Sequence, residues 1–167
     1  MGGKLGYQLH SRDIEDLEKI ARQSLTEARS SSSRHVFISF DHEDMNDVNL
    51  LRAQAKNSNS DLEFDDYSLK EPFDSKNADY IKQQIRNKIN FCSVTMVYLS
   101  ENTASSKWVN WEIEESIKRA KGVIGVYQGD KPPANLPPAF QKYGCKIVKW
   151  NHIALMDAIE EASIERV

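Results

Sequence analysis

The sequence predicts an α/β domain, a parallel sheet wrapped by helices on both sides, on two observations. Strand-like and helix-like segments alternate five times along the chain, the pattern of repeated crossover units. One of them, Phe91 to Ser100, is so apolar through Val94–Leu99 that it reads as a strand buried on both faces.

The elements follow in order. Residues 1–10 hold three glycines without periodicity and read as a loose arm. From Ser11, an expected cap, Ile14, Leu17, Ile20, Ala21 and Leu25 fall on one helical face. Ser30 to Ser33 then reads as a hinge. The expected division is therefore residues 1–34 as arm, helix and linker, and 35–167 as the main domain. His35–Phe40 is rich in β-formers and gives the first strand. Asp41 to Asp44 forms its exit loop, and Met45–Lys56 a helix with Val48, Leu51 and Ala55 inward, broken by Asn57–Ser60. Leu62–Phe64 is a second strand, followed by a long polar loop through Lys76. In Asn77–Asn90, Tyr80, Ile81, Ile85 and Ile89 recur at helical spacing. After the third strand come a helix over Trp108–Ala120, a strand over Gly122–Tyr127, an irregular proline-rich stretch over Lys131–Pro138, a fifth strand over Lys146–Trp150 and a final helix over Ile153–Ile164.

Composition narrows the function. The chain has 167 residues, 40% hydrophobic, enough for one compact domain with an appendage. Its net charge of −3 and dispersed basic residues speak against nucleic-acid or membrane binding. No apolar run approaches a membrane span or a signal-peptide core. Cys92 and Cys145 sit in apolar contexts 53 positions apart and read as reduced thiols in a cytoplasmic setting. The four histidines show no ligand spacing with them, so no metal site is expected. Neither a Gly-x-Gly-x-x-Gly nor a Gly-Lys-Ser/Thr loop follows any strand, and no Gly-x-Ser-x-Gly elbow occurs.

The most informative stretch is Ser105 to Ile113. In a helix, Val109, Ile113, Ser116, Ile117 and Ala120 form one stripe, and Glu112 projects about 90° from its centre, one turn after Trp108. The preceding strand ends just upstream, so the helix starts where open α/β sheets bind ligands. Around it the expected cleft is acidic and aromatic, with Phe40, Asp41, Phe64, Asp65, Asp66, Trp108 and Glu112. Such a cleft suits a cationic transition state. Cleavage of an N-glycosidic bond to a cationic nicotinamide passes through an oxocarbenium-like sugar that one carboxylate can stabilise. The plain structural readings stay open beside this one. Glu112 is then a solvated helix residue, Trp108 and Trp111 pack the helix, Asp65 and Asp66 cap a loop, and His42 lies on the surface.

At these residues the chain resembles Toll/interleukin-1 receptor (TIR) domains. Val36–Phe40 resembles their first-strand signature, and Leu99-Ser100 with Ser106-x-Trp108-x-x-x-Glu112-Ile113 is similar to their third-strand-to-helix signature. More narrowly, Phe64-Asp65-Asp66-Tyr67-Ser68 and Trp108-Val109-x-x-Glu112-Ile113 resemble the bacterial TIR-like proteins of Thoeris anti-phage defence. The likeness covers roughly residues 35 to 150. It implies a flavodoxin-like, TIR-like three-layer sandwich with five parallel strands, plus an extra N-terminal helix. It implies NAD+ as a substrate with no bound cofactor, Glu112 as the catalytic residue, and Phe40, Asp41, Asp65, Ser100 and Trp108 around the substrate. The expected product is an ADP-ribose derivative, linear, cyclic or conjugated to another molecule, that signals to a separate effector protein. A phage-derived trigger and self-association come with the resemblance. The sequence departs from many animal relatives in having Asp41 and His42 where they have basic residues after the first strand, which leaves Arg52, Lys70 or a neighbouring protomer for the phosphates. Two rival readings remain, a non-catalytic TIR adaptor and a receiver-like or flavodoxin-like signalling domain. The receiver reading lacks an acceptor aspartate, since the third strand ends Tyr98-Leu99-Ser100-Glu101.

Overall fold

The computed structural model describes residues 10–31, 34–57, 62–66 and 72–164, and its contacts divide the chain into two units, Met1–Ser33 and Arg34–Val167. Within the first, helix α1 spans Ser11–Ser31. His10, not Ser11, caps it. The His10 carbonyl accepts from the Asp13 and Ile14 amides, and the Asp13 carboxylate reaches back to the His10 N–H at 3.1 Å, one half of a capping box. Ser30 and Ser31, expected in a hinge, are helical. Ile14, Leu17 and Ile20 are each about half exposed.

The second unit runs β1 (Arg34–Ser39), α2 (Met45–Asn57), β2 (Leu62–Asp65), α3 (Ala78–Phe91), β3 (Val94–Tyr98), α4 (Lys107–Lys118), β4 (Gly122–Tyr127), α5 (Pro138–Tyr143), β5 (Lys146–Lys149) and α6 (His152–Ile164). All strand pairs are parallel, in the order β2-β1-β3-β4-β5. Strand alternation sorts the core onto two faces. Val36, Ile38, Phe40, Val94, Met96, Tyr98, Ile124 and Val126 meet Val48 and Leu51 of α2 and Leu155 and Ile159 of α6. On the opposite face Phe37 meets Ile81, Ile85 and Ile89 of α3 and Trp108 of α4, while Val97, Leu99 and Val123 meet Val109 and Ile113 of α4 and Phe140 of α5. Every residue of β3 is buried, as its apolarity requires. Each such Leu, Ile or Phe removed from water stabilises the fold by about 1.5–3 kcal/mol before entropy is charged.

Gly125 is fixed by close packing, since a Cβ there would lie 2.6 Å from the Phe140 ring and 2.7 Å from Leu99 Cδ1. Helix α5 was not expected, because the prolines marked that region as irregular. Pro138 stands at its first position, where the missing N–H costs nothing. Phe91 ends α3 and is largely exposed, and Tyr80 points outward, since the buried α3 stripe is Ala78, Ile81, Ile85 and Ile89. The fifth strand stops at Lys149, one residue short of Trp150.

Candidate active site

Chain direction creates the crevice. After β1 the chain turns to α2 on one face, and after β3 it turns to α4 on the other. The carboxyl ends of β1 and β3, neighbours in the sheet, thus form the topological switch point where such sheets bind ligands. A short 3-10 turn, His42–Asp44, follows β1, and the Asp41 carboxylate caps it by accepting the Glu43 N–H at 3.0 Å. The buried Asp44 carboxylate accepts from the Ser100 hydroxyl at 2.5 Å and from the Asn102 amide at 3.2 Å. Ser100 in turn lies 3.2 Å from the Thr103 hydroxyl, which donates to the Tyr98 carbonyl at 2.9 Å. The loops leaving β1 and β3 are therefore tied together. Burial pushes the Asp44 carboxyl above its ordinary range, against the lowering effect of the Ser100 and Asn102 hydrogen bonds.

Helix α4 starts at Ser106, whose hydroxyl accepts the Val109 N–H at 3.4 Å. Glu112 does not stand at the shoulder of the buried face, as the sequence suggested, but in its middle. Trp108, Val109, Glu112, Ile113, Glu115 and Ser116 are all buried, whereas Ile117 is half-buried and Ala120 exposed. The buried arc is turned toward the Trp108 side because α4 packs against α3 as well as the sheet. Glu112 is 0% exposed, and both carboxylate oxygens are out of reach of solvent. A fixed polar bond sets its height. The Ser116 and Thr95 hydroxyls lie 2.7 Å apart, and Ser116 also donates to the Glu112 carbonyl at 2.7 Å. Glu112 stands one turn, about 5.4 Å, nearer the carboxyl ends of the strands.

The other candidates divide. Trp108 packs edge-on to Phe73 at 4.9 Å and to Trp111 at 5.9 Å, and Lys82 lies 4.2 Å over the Phe73 ring. A cavity of about 380 Å³ opens beside this group, lined by Phe73, Ser106, Asn110, Trp111 and Glu114 among others. Phe40 belongs to the α2 and α6 face, the opposite one, with the Arg52 guanidinium 6.0 Å over its ring. Asp65 is level with Phe37 on the α3 side, ringed by Lys88 at 3.9 Å, His35 at 4.0 Å and the Cys92 thiol at 4.0 Å. Arg52 pairs with Asp66 at 2.8 Å. Lys70 and the Tyr67-Ser68 part of the second motif lie outside the described residues.

Sequence reading gave Ser39, Asp44 and Glu115 no place in the substrate site. Ser39 is the one polar residue in the apolar run Val36–Phe40, the one signal that could have marked it. Its side chain is 0% exposed and its hydroxyl has no hydrogen-bond partner among the described residues. Glu115 is buried beneath Arg86 at 3.3 Å, Arg119 at 3.5 Å and Lys118 at 3.6 Å, a structural ion cluster. Burial, aided by the Asp65 charge, pushes the Cys92 thiol up to about 12, and burial pushes Cys145 up to about 11. Both are free thiols and poor nucleophiles near neutral pH. Among the described residues no group of His, Cys, Asp and Glu could hold a metal ion, and no helix is long and apolar enough to cross a membrane.

Comparison with known proteins agrees with the motif reading. The family described as Thoeris protein ThsB, TIR-like domain, matches residues 37–132. ThsB1 of Bacillus cereus (strain MSX-D12), provisionally named a cyclic ADP-D-ribose synthase, is 31% identical over 99 residues, 57% of this chain and 52% of that protein. The match thus spans about half the length of that relative. Among solved structures, the TIR domains of the activated Roq1 resistosome recognizing the pathogen effector XopQ share 19% identity at a TM-score of 0.42, covering 80% of this chain and 74% of that one. The CMP N-glycosidase BcmB of Clostridium botulinum shares 12% at a TM-score of 0.43, covering 76% of this chain and 99% of that one.

Proposed function

The chain belongs to the family of the Thoeris ThsB TIR-like domain, and from that premise we propose that it is an enzyme consuming NAD+ in anti-phage defence. The bond between the nicotinamide nitrogen and the anomeric carbon of the ribose breaks, and its electron pair leaves with nicotinamide as a neutral molecule. The ribose becomes oxocarbenium-like, and the Glu112 carboxylate, in a dry site where electrostatic interactions are strong, stabilises that charge. Attack by a nucleophile of the same molecule closes a cyclic ADP-ribose, and attack by water gives the linear product. The cyclic product is the form we propose, on the name of the Bacillus cereus relative. Released into the cell, it acts as a signal that activates a separate effector protein.

One observation carries this reading. A glutamate sits buried at the switch point of a parallel sheet, one turn after a tryptophan. The same burial supports the rival reading of a TIR adaptor acting by self-association, because in this conformation no substrate atom reaches the sealed carboxylate. A productive complex therefore needs the groups above Glu112 to move. Nicotinamide release from NAD+, with mass spectrometry of the products, separates the two. Glu112→Gln is expected to lower turnover by at least about 10²-fold, the scale of losing one electrostatic stabiliser. Turnover that survives the substitution removes Glu112 from the mechanism. A wild-type protein that releases no nicotinamide, with or without lysate of phage-infected cells, leaves the adaptor.

A further inference from the structure

We propose that Ser39 is a second polar contact of this site, its hydroxyl meeting the same ribose hydroxyl that Glu112 holds. The inference rests on the NAD-consuming reading. Buried hydroxyls in folded proteins normally have partners, yet the Ser39 side chain is 0% exposed and its oxygen has none among the described residues. Its position says what it faces. In the parallel register Phe37 pairs with Thr95 and Ser39 with Val97, so all four side chains point to the α3 and α4 face. Thr95 is bonded to Ser116 at 2.7 Å. Two residues further along the strands, about 6.6 Å, lies the level of Ser39. One turn back along antiparallel α4, about 5.4 Å, lies the level of Glu112.

The helix also resolves the lateral position. Val109 and Ile113 lean toward β3 and β4, where they meet Val97 and Val123. Trp108 leans toward β1, where it joins the Phe37 cluster. Glu112, one turn from Trp108, shares that lean and comes down over the carboxyl end of β1, where Ser39 is the last strand residue. β2 has ended at Asp65, level with Phe37. A buried hydroxyl and a buried carboxylate thus stand at one height, at the strand ends.

Their chemistry selects the ligand group. An ionised carboxylate only accepts hydrogen bonds, and the serine hydroxyl can donate one. The single ligand atom that donates to the first and accepts from the second is a hydroxyl oxygen. An ammonium cannot accept and an ionised phosphate cannot donate. In NAD+ the hydroxyls nearest the bond to be broken are those of the nicotinamide ribose.

The test uses Ser39→Ala on the full chain, with NAD+ and its analogues lacking the 2′- or 3′-hydroxyl of the nicotinamide ribose. Ser39→Ala is expected to lower kcat/KM for NAD+ about tenfold, the loss of one hydrogen bond. It should have no further effect with the analogue that lacks the bridging hydroxyl, which names that hydroxyl. The melting temperature without ligand should stay unchanged or rise, because the substitution removes a buried polar group without a partner. A ligand-free melting temperature lowered by several degrees makes Ser39 structural and overturns the assignment. The same loss with all three substrates, or no loss with NAD+, overturns it too while leaving the NAD-consuming reading in place. Wild-type protein that neither turns over NAD+ nor is thermally stabilised by it removes both.

Discussion

Ser116→Ala tests whether the position of α4 rests on one buried pair of hydroxyls. Each hydroxyl has a single proton. The Ser116 proton goes to the Glu112 carbonyl at 2.7 Å, so the Thr95 proton must go to Ser116 Oγ, also at 2.7 Å. Thr95 and Ser116 are both 0% exposed, and no water is at hand to replace a lost partner. Removing the Ser116 oxygen strands the Thr95 hydroxyl, at a cost of about 1–3 kcal/mol. For a unit the size of residues 34–167 that corresponds to a fall in melting temperature of roughly 4–12 °C. Thr95→Val alone costs less, about 1 kcal/mol, because Ser116 keeps its backbone acceptor. The double variant, with both partners apolar, should be more stable than Ser116→Ala alone, so the cycle is strongly non-additive. Urea unfolding of the four proteins, with equal m-values as the check on two-state behaviour, measures the coupling. Effects that simply add, or a Ser116→Ala cost below about 0.5 kcal/mol, refute the argument.

Two further predictions concern stability around the site. Ala120 closes α4 with φ +55° in a Schellman arrangement, with Ala120 N–H to the Ile117 carbonyl and Lys121 N–H to that of Ser116, so Ala120→Gly should relieve left-handed strain and raise the urea midpoint by about 0.5–1 kcal/mol equivalent; a lower midpoint refutes it. Burial raises Asp44 above its ordinary 3.8, so the folded state binds this proton more tightly than the unfolded chain, and the resulting stability is complete below about pH 4 and lost as pH rises through the raised folded value. Asp44→Asn should flatten that part of the dependence of the urea midpoint as pH rises above about 4, and an unchanged slope would place the titration elsewhere.

The fold was legible because it depends on periodicity. The all-buried β3 and the Ile81, Ile85 and Ile89 stripe are patterns a single sequence displays. Helix α5 was hidden because Pro137 and Pro138 look like breakers when, at a helix start, they are tolerated. The buried face of α4 was misjudged by the same logic that found the helix. Apolarity alone placed the stripe on Val109, Ile113 and Ala120, whereas packing against α3 drew Trp108, Glu112 and Glu115 inside. Likewise Phe40 and Trp108 were grouped as one aromatic wall because both adjoin strand ends. Strand alternation, which sends Phe37 and Ser39 one way and Phe40 the other, puts their rings in different clusters. Asp44 and Ser100 are separated by 55 intervening residues, and their 2.5 Å bond has no local signature.

The two sides of the switch point differ in how their polar groups are satisfied, and that difference gives the crevice a direction. Toward α2, Asp44, Ser100, Asn102 and Thr103 form a connected network in which the carboxylate already takes two donors. Such a network holds the loops of β1 and β3 in one arrangement and has little left to offer a ligand. Toward α4, Ser39 keeps an unused hydroxyl beneath the helix that carries Glu112. Leaving a buried donor unmade is costly, and a fold that retains one at a strand end, beside a crevice, stores capacity for a polar group that arrives later. Among the described residues the unmet donor of β1 therefore lies on the α3 and α4 side, at Ser39. On the opposite face, Phe40 packs the end of β1 against the α2 and α6 side, and the Asp44 network ties the loops leaving β1 and β3 together.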